Sequence, residues 1–224
     1  MVSKNNEEEL MAKDRVQTIV GEVSSSDAPA KVSTKDAIYE AALDAFAEKG
    51  YAGASLRDIA HRVGVEVASL YNHIDSKESL LFRIIIGTSE ELYDALLHVR
   101  DAGGDDPRET LLDVLRHYIT FAAEHGRHNF VGTVELRALT GPHREEALKL
   151  RGNVEGIFRE LVIACTAQGY LPADTDPTVG AYQFIALATN VSSWFKPDGP
   201  LTADQVADFT VDLITNGLGP RHRD

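Results

Sequence analysis

Residues 55–77, SLRDIAHRVGVEVASLYNHIDSK, constrain the fold more than any other part of this 224-residue chain. Ser55 is placed to cap a helix, with Asp58 at the reciprocal third position and Ile59, Ala60 and Val63 on its one apolar side. Gly64 ends that helix, because glycine alone enters the left-handed region without strain. After a turn of about three residues a second helix is predicted over 67–74, with Val65, Leu70 and Ile74 directed at the same core. Helices this short are marginal in water on their own, so a third element must complete the core. The preceding segment supplies it. Ser33 or Thr34 caps a helix running to about Lys49, where Ile38, Ala41, Ala42, Ala45 and Phe46 recur at spacings of three and four and Gly50 ends the run.

The rest of the chain keeps the helical period. Asp75 or Ser76 caps a long fourth helix carrying Leu80, Leu81, Ile84, Ile85, Leu92 and Leu96, which ends near DAGGDDP. Five more helices are predicted over 110–124, 129–139, 144–168, 177–194 and 202–218, divided by Gly and Pro signals. No alternating strand pattern and no internal repeat is found, so the fold class is all-α: an N-terminal three-helix bundle with a helix-turn-helix, then a C-terminal helical domain. The expected divisions are a flexible tail over 1–32, the helix-turn-helix domain over 33–83 and the helical domain over 84–224. Within the tail, 7–20 has a thin amphipathic pattern, and SSSDAPA reads as a linker.

Charge and composition narrow the function classes. The chain carries −13, but residues 34–83 hold six basic and eight acidic residues, so the acid lies mostly outside the candidate reader. Coating nucleic acid by bulk electrostatics is excluded, since each phosphate contact calls for a Lys or Arg. The single cysteine, Cys165, beside Leu161 and Ile163, reads as a core residue in a reducing compartment. The acidic start does not resemble a signal peptide and no apolar run reaches membrane-spanning length, so a cytoplasmic protein with no membrane association is expected. No nucleophile elbow, phosphate loop, His-Glu-x-x-His or dinucleotide fingerprint occurs, and no catalytic residue or cofactor is expected. His125 and His128 tempt a metal reading, but Gly126 is expected to break the helix between them and no carboxylate or thiol stands at ligand spacing, so no metal site is expected either.

In a helix-turn-helix the second helix enters the major groove while the first crosses the backbone. That places Val67, Ala68, Ser69, Tyr71, Asn72 and His73 at the DNA, with Val67 and Ala68 limited to apolar contacts such as a thymine methyl and Asn72 able to read adenine. Ser55, Arg57 and Lys77 are positioned to hold phosphates, which fix register without reading sequence.

With these residues in place, the chain resembles the TetR (tetracycline-repressor-like) family of bacterial transcription regulators. The resemblance rests on AALDAFAEKGY, SLRDIA, GV, SLYNHI and SKESLL over about fifty residues. Three positions depart from the pattern: Glu66 where a capping Ser or Thr is usual, Val67 where a polar or basic residue is frequent, and Ile74 where Phe is usual. The segment NVSSWFKPDGPLTADQVADFTVDLI is similar to the last helices of a subgroup that regulates fatty-acid and sterol catabolism and responds to acyl-CoA ligands.

The resemblance implies a homodimeric repressor of a pseudo-palindromic operator in double-stranded DNA, released by a small apolar or acyl-CoA effector. It implies a dimer interface from 177–194 and 202–218, with Ala181, Phe184, Ile185, Ala188, Val206, Phe209, Val211 and Ile214 as its apolar surface. The effector chamber is expected to draw on Leu115, Tyr118, Ile119, Phe130, Val134, Phe158, Val162, Tyr182 and Trp194, with Arg137 meeting an anionic group of the ligand. The rival reading is a helical small-molecule-binding protein without operator binding.

Overall fold

The computed structural model describes residues 34–217; the predicted 7–20 helix lies outside them. Nine α-helices occur among the described residues: α1 (Thr34–Gly53), α2 (Leu56–Val63), α3 (Val67–Leu70), α4 (Lys77–Ala102), α5 (Pro107–Glu124), α6 (Gly126–Glu135), α7 (Gly141–Ala167), α8 (Pro177–Asn190) and α9 (Ala203–Asn216). Short 3-10 turns at Leu136–Ala138 and Val191–Ser193 follow α6 and α8. No strand is present among these residues.

The boundaries follow local chemistry. Ser55 accepts from the Asp58 amide while the Asp58 carboxylate accepts from the Ser55 amide, a complete capping box, and Gly64 closes α2 at φ 74°. Ser76 with Ser79 and Thr202 with Gln205 repeat the device at α4 and α9. Aspartates 106 and 176 cap α5 and α8 just ahead of Pro107 and Pro177, which sit where a helix has no use for an N–H. Gly50, at φ 70° and ψ 161°, breaks α1 into a long segment and a short last turn.

Two elements differ from expectation. The α-helical ladder of α3 stops at Leu70, and the amides of Asn72 and His73 bond instead to the carbonyls three residues back. Asn, His and Asp hold helix poorly there, and Glu66 gives α3 no side-chain cap, so the last turn tightens. Gly126 begins α6 instead of interrupting the segment between the two histidines, with His125 as the cap that both α5 and α6 share.

Packing gathers into two hydrophobic clusters that α4 joins. Leu80, Leu81, Ile84 and Ile85 of α4 meet Phe46, Leu43, Ile59 and Leu70 of the first three helices, together with Val131 of α6 and Leu136 and Leu139 just beyond it. Leu92 and Leu96, two turns further along α4, join α5, α7, α8 and α9 around Leu115, Ile119 and Phe158. Each large apolar side chain sealed in this way contributes roughly 1.5–3 kcal/mol. α6 packs on α1 as well as on α4.

Candidate functional site

The outer face of the bundle is built by α2, the Gly64 turn and α3. Ala68, Tyr71, Asn72 and His73 project from it, Tyr71 with 57% of its surface exposed, whereas Val67 is half-buried against the bundle core. A groove-reading surface here therefore consists of short polar side chains and one aromatic ring. Ser69 is half-buried on the same turn.

The phosphate-holding candidates differ in their freedom. Arg57 is exposed and has no hydrogen-bond or ion-pair partner among the described residues. The Ser55 hydroxyl donates to the Asp58 carboxylate at 2.6 Å, so its proton is already engaged. That bond, reinforced by Lys49 at 2.9 Å, holds the Asp58 carboxyl far below the usual carboxylate range. Lys77 donates to the carbonyls of Tyr51 at 2.7 Å and Ala54 at 2.8 Å and sits 4.3 Å over the Tyr51 ring, leaving one of its three N–H groups for another acceptor. Of the other cations on this face, Arg62 pairs with Glu48.

Beyond the bundle, α4, α5, α6, α7 and α8 enclose a chamber with about 110 Å³ of free space. Its apolar wall is Ile85, Leu92, Phe121, Leu136, Val154 and Ile185; its polar groups come from Thr88 and Ser89 on α4, Tyr118 on α5, His128, Asn129 and Thr133 on α6, and Arg151 and Glu155 on α7. Asn129 is committed to structure, donating to the Thr189 carbonyl at 3.2 Å and the Ser192 hydroxyl at 2.9 Å. Burial lowers the pKa of the His128 imidazole and favours its neutral form, against the opposing pull of Glu40. The Tyr118 phenol is pushed up to about 12 by burial, with the Arg151 charge acting in the opposite direction.

The residues anticipated for this chamber separate into four groups. Tyr118 and Tyr182 line it. Phe130, Val134 and Trp194 line a second, more open groove with Leu187 and Thr210. Leu115, Ile119, Phe158 and Val162 are sealed in the packing behind the wall, Val162 lying against Gly180 where α7 and α8 approach closely. Arg137 is exposed on the 3-10 turn after α6 and lines neither cavity.

The arginine that does reach the chamber is Arg151, and the sequence carries a signal for it. Ala147, Val154, Phe158, Leu161 and Cys165 form the buried stripe of α7 at alternating spacings of four and three, and Arg151 occupies the one position of that stripe that is not apolar. Thr88 and Ser89 likewise interrupt the apolar stripe of α4.

Polar anchors tie the chamber helices to the bundle. Arg127 at the start of α6 pairs with Asp44 of α1 and lies 3.5 Å from Glu40. Glu135 at its end accepts from the Tyr51 amide at 3.1 Å. Glu78 of α4 accepts from the amide and hydroxyl of Thr140 at 2.9 and 3.0 Å, which lowers its pKa.

Of the expected dimer surface, Ala181, Ala188, Val206 and Val211 face inward and are buried, and Phe184 and Ile185 pack on the second cluster. Phe209 and Ile214 are exposed, joined by Val179, Leu187 and Leu213. No helix among the described residues is long and apolar enough to cross a membrane.

Two family models match the chain. Residues 38–84 match the family described as bacterial regulatory proteins, tetR family, and residues 104–218 match the tetracyclin repressor-like C-terminal domain. The HTH-type transcriptional repressor KstR2 of Rhodococcus jostii (strain RHA1) is 27% identical over 202 residues, covering 88% of this chain and 97% of its own. The structure of AibR in complex with isovaleryl coenzyme A and operator DNA is 30% identical with a TM-score of 0.72, covering 81% of this chain and 97% of that one. The structure of KstR2 of Mycobacterium tuberculosis, at 23% identity and a TM-score of 0.76 over 83% of this chain and 94% of that one, has the same fold.

Proposed function

The chain belongs to the TetR family of bacterial regulatory proteins, and on that premise we propose that it is a homodimeric repressor that binds a pseudo-palindromic operator and is released by a small acyl-type effector. The observation that carries this reading is the continuity of α4, whose first turns pack on the reader while Ile85, Thr88, Ser89 and Leu92 wall the chamber. Residues 33–83 act as the DNA-binding domain and residues 84–224 as the effector and dimer domain, with 1–32 as a tail. Ser55, Arg57, Val67, Ala68, Ser69, Tyr71, Asn72, His73 and Lys77 form the DNA side. The protein works in the cytoplasm and performs no catalysis.

Two readers must sit roughly 34–36 Å apart to enter successive major grooves on one face of the duplex. The chamber has about 110 Å³ of free space, so an acyl chain too large for that space enters it only by displacing its walls. Both movable walls, α4 and α6, contact α1. Displacing them alters the spacing of the readers, and by reciprocity operator DNA weakens effector binding by the same factor, typically through about 1–3 kcal/mol of coupling. Support for an acyl-CoA effector comes from AibR, which has been crystallised with isovaleryl coenzyme A and operator DNA.

The test is titration of the purified dimer against DNA flanking its own gene at two salt concentrations, with Tyr71→Ala as control. Tight, salt-sensitive binding to one palindrome that the variant loses is expected. Absence of binding to that DNA and to genomic fragments would instead favour a helical ligand-binding protein without an operator.

A further inference from the structure

Two polar groups on the chamber wall have no hydrogen-bond or ion-pair partner among the described residues, and they come from facing helices. The Tyr118 hydroxyl belongs to a side chain only 5% exposed, yet no protein acceptor or donor meets it. Among the described residues no fully enclosed side-chain oxygen or nitrogen lacks a partner, so this oxygen is open to the cavity. Arg151 is the one Lys or Arg that lines the chamber, and it stands in the buried stripe of α7 between Ala147 and Val154. Its neighbour one turn on, Glu155, also lines the chamber but gives its carboxylate to Arg159 at 3.0 Å. The mouth therefore keeps a net unanswered positive charge in a protein of net charge −13.

Building on the repressor reading above, we propose that Tyr118 and Arg151 form the specificity pair of the effector site, Tyr118 donating a hydrogen bond to the ligand's acyl carbonyl oxygen and Arg151 pairing with a negative charge beside it. Arg151 is exposed at the rim of the chamber with no carboxylate partner among the described residues, so an anion bound there gains a charge-assisted hydrogen bond, and the Tyr118 hydroxyl, which meets no protein acceptor, is free to donate to a carbonyl. The ligand class that satisfies both is a short acyl chain carrying an anion at or beyond its carbonyl. A free carboxylate and a coenzyme A thioester share that chemistry: the first puts the charge on the acyl carbon itself, the second places phosphates outside the mouth. His128, kept neutral by burial, does not supply a competing charge.

The test measures ligand affinity of the full chain by calorimetry with hexanoyl coenzyme A, hexanoate and hexanamide, the last being the uncharged isostere. At least one of the anionic probes is expected to bind about tenfold or more tightly than hexanamide, a preference worth about 1.4 kcal/mol. Arg151→Gln is expected to erase that preference while leaving hexanamide unchanged, and Tyr118→Phe to weaken all binding probes by a similar factor. Which anion wins identifies the source of the charge. Equal affinity for hexanamide, failure of both anions to bind, or an intact preference in Arg151→Gln would overturn the proposal. Arg151 is solvent-exposed, so its variant keeps its melting temperature and its affinity for operator DNA. A wild-type protein that binds the anions but no DNA would instead defeat the repressor reading and leave the specificity pair standing.

Discussion

The Lys77 ammonium caps the end of α1, donating to the Tyr51 carbonyl at 2.7 Å and lying 4.3 Å above the ring of the same residue. With the second bond to Ala54, the first residue of α4 locks the turn that leads into α2. Replacing Lys77 by Met keeps the aliphatic stem and leaves two half-buried carbonyls without donors, at a cost of about 1–3 kcal/mol. Thermal denaturation of Lys77→Met is expected to show a clear drop in melting temperature. A variant as stable as the parent would reduce Lys77 to a surface charge.

Arg57 should behave in the opposite way. It is exposed and unpartnered, so Arg57→Ala leaves the melting temperature alone. If it holds one phosphate, the slope of log affinity against log salt concentration becomes shallower by about 0.9. An unchanged slope would remove Arg57 from the DNA contacts.

On the reader itself, Asn72 is the exposed side chain suited to a bidentate contact with adenine. Asn72→Ala is expected to cost about 1–3 kcal/mol against the preferred operator and to relax the base preference at one position in each half-site. Binding to an operator series substituted base by base separates this from a uniform loss. Val67, half-buried against the bundle core, is expected to affect stability more than base preference when cut to Ala.

The bundle was legible because its signals are local: a serine cap with an acid three residues on, Gly50 and Gly64 at the breaks after the first two helices, and apolar residues at helical spacing. The chamber was legible only in class. Leu115, Phe158 and Val162 are apolar residues on helices around the cavity, and nothing in periodicity distinguishes the side chain that faces a void from the one sealed behind it. Polar interruptions of an apolar stripe do make that distinction, and Arg151, Thr88 and Ser89 are such interruptions. Arg137 in VELRAL is a similar interruption, but it lies on the 3-10 turn after α6 with its side chain exposed, and the change of pitch at Leu136 has no clear sequence mark. At α8 and α9 both faces are apolar, so the pattern alone could not say which one packs inward.

Acid should loosen the contacts around the chamber in two stages. Burial depresses the His128 imidazole from its ordinary 6.5, and hydrogen bonds from Thr140 depress the Glu78 carboxyl from its ordinary 4.5. The sign is the same for both: the unfolded chain binds protons more readily, so each contribution is complete above the ordinary value and is lost as pH falls through the depressed one. Melting temperature is expected to decline below about pH 6.5 and further below about pH 4.5. His128→Gln should flatten the first decline and leave the second. A variant that still shows the full first decline would assign it to another group.

The exposed side of α8 and α9 is the remaining surface with an assignable role. Their inward residues, among them Ala181, Ala188, Val206 and Ala207, are spent on the chain's own core, which leaves Val179, Leu187, Phe209, Leu213 and Ile214 on the opposite side. Phe209 is 67% exposed, so it adds little to the fold of a single chain, and an apolar group of this size facing water calls for a partner. A second copy meeting it across a two-fold axis would bury it in a four-helix bundle. Phe209→Arg then places two desolvated like charges near that axis while leaving each subunit's core untouched. Light scattering is expected to report monomers, the melting temperature of the subunit to change little, and operator affinity to fall by about 10²-fold or more, because the second half-site no longer benefits from linkage. A Phe209→Arg protein that stayed dimeric and bound its operator normally would move the interface to another face.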